Sequence, residues 1–261
     1  MKRIAGLPAT LAGLARFVAD PTTENTWDAF GSFEAGTARR ELTAALIDQQ
    51  HRLCAYCEIA LVSDDTRVEH FVPRSDPLRG AALAFDHGNL MAVCMGGSNA
   101  SFGPDALNPD PTRYLPPVKS NLSCDAAKAN KPASSFIDPR LVPAFPSLFT
   151  VNEDGVLSAD GASCANHGVP VTEVEQHIEG LRLNVGRLRN QREAVRAELT
   201  QTYAIFSELP LAAREEHLMA FAEGQLLPDG DNKLPRFFTT TRAFFGPMAE
   251  RILEQQPHAW V

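Results

Sequence analysis

The chain has 261 residues, 44% of them hydrophobic and 21% charged, enough to bury a substantial core and unlike a disordered or collagen-like chain. Acidic residues outnumber basic ones 32 to 24, a formal charge of −8. This excludes attraction to nucleic acid by a basic surface of the whole protein and leaves only a local patch or a partner.

Lys2 and Arg3 precede an apolar run, as in a signal peptide, but Arg16 interrupts it. Leu7, Leu11, Leu14, Phe17 and Val18 instead follow a helical spacing, so an amphipathic helix ending near Pro21 is expected. No apolar stretch is long enough to cross a bilayer, and a cytoplasmic location follows. In that reducing compartment the five cysteines read as metal ligands or buried thiols. Residues 38–53 repeat apolar positions at Leu42, Ala45, Leu46 and Leu53 and predict a helix. Two extended runs, 59–62 and 67–71, joined by polar residues 63–66, predict a hairpin. Residues 95–120, rich in Gly, Asn, Asp and Pro, predict a long irregular loop. Residues 149–157 predict a second hairpin turning at Asp154-Gly155. Thr172-x-x-Glu175 has the form of a capping box. The stripe Val174, Ile178, Leu181, Val185, Leu188, Val195 and Leu199 beyond it reads as core packing, or alternatively as a partner-binding helix. Further helices are expected near 211–225 and 240–255. No internal repeat is evident.

Cys54-x-x-Cys57 fits a redox pair or half of a zinc site. It sits between a helix and extended segments, not in a βαβ context, which favours zinc. Cys94 and Cys124 complete a four-thiol set better than Cys164-x-x-His167, because they flank the other polar residues; Cys164 then reads as a small buried thiol. Glu69 and His70 end an extended run before Pro73. Adjacent strand residues point to opposite faces, so both serve one site only where the strand ends and bends. Glu69 can hold a hard cation and His70 can accept a proton. Asp125 and Lys128 are three apart on a short helix and share a face. Arg182, Arg187, Arg189, Arg192 and Arg196 form either a solvated face paired with Glu179, Glu193 and Glu198 or a surface for DNA or RNA.

The array Cys54-x-x-Cys57, Glu69-His70-x-x-Pro73, Asn89-Leu90, Cys94 and Cys124-Asp125-x-x-Lys128 resembles the HNH (ββα-metal) endonuclease motif with its structural zinc. The surrounding runs, Gln49-Gln50, Leu53 to Glu58, Glu69 to Ser75, Ile137-Asp138-Pro139 and Ile178 to Asn184 with Arg192, resemble the HNH subunit of Septu-type and retron-associated antiphage systems. The resemblance spans about residues 27–200. It implies an α+β, mainly helical fold: an N-terminal helical segment over 1–52, a zinc-stabilised ββα-metal module over 53–140, and a hairpin with a C-terminal helical segment over 141–261. It implies that His70 is the general base, that Glu69 and Asp125 hold the catalytic metal, and that Asn89 steadies the loop and the base. Arg74 and Lys128 are the implied phosphate contacts, and Cys54, Cys57, Cys94 and Cys124 the structural zinc ligands. Asp125 stands where Asn or His is common in the motif, which favours Mg²⁺ or Mn²⁺ over Zn²⁺ at the catalytic position. The implied partners are a nucleic-acid substrate, DNA before RNA, and an ATPase subunit. The alternative is a non-catalytic, zinc-stabilised nucleic-acid-binding or partner-docking protein.

Overall fold

The computed structural model describes residues 1–98, 118–257 and 259–260. Of the irregular stretch expected over 95–120, residues 99–117 lie outside the described residues. The chain opens with α1 (Ala12–Ala19), α2 (Trp27–Ser32) and α3 (Thr37–Gln49). The Thr26 hydroxyl accepts from the Ala29 N–H at 3.2 Å and so caps the start of α2. These helices bury Leu14, Phe17, Trp27, Phe30, Leu42 and Leu46 in a common apolar cluster.

β1 (Thr66–His70) pairs antiparallel with β2 (Leu90–Cys94), with Thr66 opposite Cys94 and His70 opposite Leu90. The expected partner, 59–62, is used elsewhere. Its backbone folds back onto the first cysteine pair, with Cys54 N–H donating to Ile59 O at 2.9 Å and Leu61 N–H to Arg52 O at 2.8 Å. The cysteine knuckle thus consumes the hydrogen bonds that a 59–71 hairpin needs. Gln50 extends the arrangement: its side-chain amide donates to Ala92 O and accepts from Ala92 N–H, both at 2.8 Å.

Strand alternation gives the hairpin two buried faces. Val68, Leu90 and Ala92 join the N-terminal cluster. Met91, Val93 and Cys94 join a second, larger cluster with the C-terminal elements. The loop from β1 to β2 contains α4 (Gly80–Leu83), and α5 (Cys124–Lys128) packs against β2. Gly96 allows the close return of the chain after β2. Its φ is +63°, a Cβ there would stand 2.1 Å from Ser123 O, and its own carbonyl accepts from Ser123 N–H at 2.9 Å.

β3 (Phe149–Val151) and β4 (Leu157–Ala159) form the second hairpin, with Gly155 at φ +73° in the expected turn. The chain ends in α6 (Gly161–His167), α7 (Val171–Gly180), α8 (Gly186–Ser207), α9 (Leu211–Leu226), α10 (Phe238–Phe245) and α11 (Pro247–Gln255). The capping box does not form. Pro170 is the N-cap, so Thr172 is already inside α7, and Glu175 accepts from Ala159 N–H instead. The apolar stripe belongs to two helices, with Leu181 and Val185 in the corner between them; all seven of its side chains are buried, as core packing requires. The helix expected over 240–255 is broken at Gly246, where Pro247 begins a new one. Buried Glu58 ties the knuckle to α10 by accepting from Thr239 N–H at 2.8 Å and from its hydroxyl at 2.6 Å. Among the described residues no helix is long and apolar enough to cross a membrane.

Two of the five arginines of the basic stripe belong to neither of the surfaces expected from the sequence. Arg187 and Arg192 are buried. Arg187 donates to Asn121 O and Ser123 Oγ, and Arg192 to Gly155 O, Leu183 O and Asn184 Oδ1. Arg189 pairs with Asp154 at 3.2 Å, and Arg196 lies over the Phe244 ring.

Candidate active site

Four buried thiols meet beside β2. Cys54 and Cys57 come from the knuckle, Cys94 ends β2, and Cys124 opens α5; their sulfurs all lie within 4.8 Å of one another. Cys57 Sγ and Cys94 Sγ are 3.6 Å apart, and none of the cysteines is in a disulfide. Zinc–sulfur bonds of about 2.3 Å at tetrahedral angles put sulfurs ~3.8 Å apart, so this donor set fits a closed tetrahedral zinc site. Burial raises the Cys54 and Cys124 thiols well above their ordinary range. At Cys57 burial acts the same way, but hydrogen bonds from Cys124, Cys54 and Cys94 outweigh it and drive the thiol well below. Arg187 Nη2 donates to Ser123 Oγ at 2.5 Å, and that hydroxyl donates to Cys124 Sγ at 3.5 Å. Together Arg187 and Arg192 bring buried positive charge towards a centre that is dianionic when four thiolates hold Zn²⁺. Cys164, the competing candidate, is apart from this set, and its thiol faces Leu148 O.

At the other end of β1 the strand stops at His70 and the chain bends through 71–73. Glu69 and His70 leave the strand on opposite faces, and a cleft of about 510 Å³ lies against both and against Asp125. His70 meets Trp27 edge-on, ring centroids 4.5 Å apart. Its Nε2 is 2.9 Å from Ala84 O. A carbonyl only accepts, so Nε2 carries the hydrogen and Nδ1 keeps its lone pair. Burial first, then the charges of Arg74, Arg39 and Lys128, outweigh the Ala84 carbonyl and lower the imidazole to about 4. It is therefore neutral at pH 7.

Glu69 and Asp125 line the same cleft, close enough for the charge of Asp125 to act on Glu69. Burial first, and then the negative charge of Asp125, raise the Glu69 carboxyl to about 8, against the pull of Lys128. Lys128 Nζ lies 2.7 Å from Glu69 Oε1 and 3.3 Å from His70 O. Asp125 Oδ2 pairs with Arg67 Nη1 at 2.8 Å, and Tyr56 Oη donates to Glu69 Oε1 at 3.4 Å. Two adjacent carboxylates whose mutual repulsion exceeds their lysine's attraction are a donor set that suits a hard divalent cation.

Glu69, His70, Asp125 and Arg74 all line the cleft. Lys128 does not. It is fully buried, because the single turn of α5 directs it inward one turn after Cys124. In this position its ammonium is turned to Glu69 and away from the cleft lining. Asn89 does not orient the imidazole directly. It accepts from Val72 N–H at 2.8 Å and donates to Val72 O and Leu83 O, both at 3.1 Å. It thereby clamps the loop whose Ala84 carbonyl holds His70. Trp27, Arg39 and Arg67 also line the cleft and were not singled out from the sequence. The alternation of β1 puts Arg67 on the face of Glu69, which is a usable signal; Trp27 and Arg39 carry none.

No family profile matches the chain. It is 30% identical over 239 aligned positions, 83% of each protein, to a protein of Escherichia coli named as an HNH endonuclease of retron Ec83. Similarity of that extent shows the family: the chain belongs to the retron-associated HNH endonucleases.

Proposed function

We propose that the chain is a metal-dependent endonuclease that hydrolyses phosphodiester bonds, in DNA before RNA, and that residues 53–140 form its zinc-stabilised ββα-metal module. The observation that carries this reading is an imidazole held through Nε2 by the Ala84 carbonyl, beside Glu69 and Asp125 in one cleft. His70 Nδ1 takes a proton from the attacking water, a contribution of about 10²–10⁴-fold. Glu69 and Asp125 hold a divalent cation, Mg²⁺ or Mn²⁺, which when bound offsets charge developing on the phosphate oxygens. Lys128 positions Glu69, Asn89 and the Ala84 carbonyl position His70, and Arg74 contacts phosphate. Cys54, Cys57, Cys94 and Cys124 hold structural zinc that joins the knuckle, β2 and α5.

The test is chelation followed by add-back of single metals, with plasmid DNA and a structured RNA as substrates. Mg²⁺ or Mn²⁺ is expected to restore cleavage. Restoration by Zn²⁺ alone defeats the hard-ion assignment. Absence of cleavage with every added metal, in a protein that still contains its zinc, leaves the non-catalytic nucleic-acid-binding reading. We further assign the chain to an antiphage defence complex with an ATPase partner. This is supported by the resemblance and by the retron named for its Escherichia coli relative. A phage challenge comparing the intact operon with its His70→Ala version tests it.

A further inference from the structure

The cleft holds a cation to which neither the acids nor the imidazole assigns a task. Arg39 is carried by α3, in the helical segment ahead of the hairpin, and its side chain lines the cleft with His70 and Arg74. Its guanidinium carbon lies 4.3 Å from the centroid of the Trp27 ring. Trp27 is buried and packs edge-on against His70, so the platform under Arg39 is rigid and registered to the proposed base. A guanidinium lying on an indole keeps its N–H edge for an in-plane acceptor.

Among the described residues no carboxylate forms an ion pair with Arg39. The acids of the cleft are committed elsewhere, Asp125 to Arg67 and Glu69 to Lys128. Burial, followed by the like charge of Arg74, weakens the hold of Arg39 on its proton, and Asp28 offsets this only in part. Two like charges drawn together at a partly desolvated wall are unfavourable until an anion joins them. The anion already required beside His70 is a phosphodiester.

We propose that Arg39 is a phosphate-binding residue of the cleft, presenting its guanidinium edge to the substrate backbone while Trp27 fixes its plane, with Arg74 as its counterpart. The inference rests on the nuclease reading above. It makes α2 and α3 a wall of the site and not only a covering for the hairpin. Bidentate contact with non-bridging oxygens suits the planar fork of arginine and not the point charge of lysine.

The experiment measures binding of short duplex DNA and of single-stranded DNA and RNA by the full chain carrying His70→Ala, across a salt series, with and without Arg39→Gln. Arg39→Gln is expected to weaken binding several-fold irrespective of base sequence and to lower the salt slope by about 0.9 for duplex or ~0.7 for single strands, one phosphate's worth. Arg39→Lys is expected to keep the slope and lose part of the affinity. In the cleavage-competent protein, Arg39→Gln is expected to raise KM more than it lowers kcat. Unchanged affinity, slope and KM in a folded Arg39→Gln protein overturns the inference and leaves the nuclease reading standing. A parent protein that neither binds nor cleaves any of these nucleic acids overturns both.

Discussion

The β1–β2 hairpin presents a different donor set at each end. Near Cys94 four thiols converge, all buried, with two buried arginines supplying opposite charge. Near His70 two carboxylates and an imidazole face an open cleft whose walls carry further cations. The first set is closed and suits holding the fold together; the second leaves room for water and a phosphodiester. Tyr56 joins the two, since it lies between Cys54 and Cys57 in sequence and donates to Glu69. Stability and chemistry are thus placed a few residues apart on one small scaffold.

The contrast can be broken most severely at the closed end. Cys57→Ser removes one of four thiolates from a site that joins three chain segments. The expected outcome is loss of zinc by elemental analysis and loss of the cooperative unfolding transition. A full metal complement with an unchanged melting curve would refute the structural role. At the open end, His70→Ala is expected to lower cleavage by about 10²–10⁴-fold while zinc content stays complete. If cleavage and zinc fall together, the two ends are not separable.

Lys128→Met tests whether the cleft draws on the core. It leaves Glu69 buried beside Asp125 without its cation; because the Glu69 carboxyl is raised to about 8, the cost of breaking the pair, about 3–5 kcal/mol when both groups are charged, is expected above that pH and shrinks below it. Denaturant midpoints taken at pH 7 and pH 9 read this directly; midpoints unchanged at both pH values mean that Lys128 contributes little to holding Glu69. Acid is expected to act on the shared core as well as on His70 at the open end. His177 packs beside the rings of Phe136 and Phe149, and its Nδ1 accepts from Ile137 N–H at 3.1 Å. Burial lowers it from the ordinary 6.5 to about 3. Between those two values the unfolded chain binds the extra proton, so stability falls as pH drops, by up to about 1.4 kcal/mol per pH unit. His177→Gln should flatten this limb in melting curves taken from pH 7 to 4; an unaltered limb would locate the acid sensitivity elsewhere.

Much of the closed end could be read from residue types alone. Four cysteines with one short spacing define a soft donor set wherever the chain carries them, and their chemistry limits the useful arrangements. The meeting of Glu69 with Asp125 was legible for a related reason, since Asp125 directly follows a thiol that has to return to the knuckle. The strand partner of β1 was not legible. Residues 59–62 and 90–94 are both extended and apolar, and only the backbone bonds spent on the cysteine knuckle decide between them. Arginine shows the same ambiguity on a larger scale. Along α8 a repeating basic pattern looks like a solvated or substrate-facing surface, yet Arg187 and Arg192 point into the core, where backbone carbonyls and the thiol cluster await positive charge.

Composition, periodicity and ligand chemistry were sufficient for the existence of most helices, though not for their ends, for the second hairpin and for the thiol set, because each depends on residue type. Packing alone decided that Lys128 supports Glu69 from beneath, that the Ala84 carbonyl and not the Asn89 side chain holds the imidazole, and that Trp27 and Arg39 stand in the cleft. A backbone carbonyl is the same at every position in a sequence, and the direction of a long cationic side chain depends on which buried acceptors surround it after folding. Such choices belong to three-dimensional neighbours, and local pattern carries no record of them.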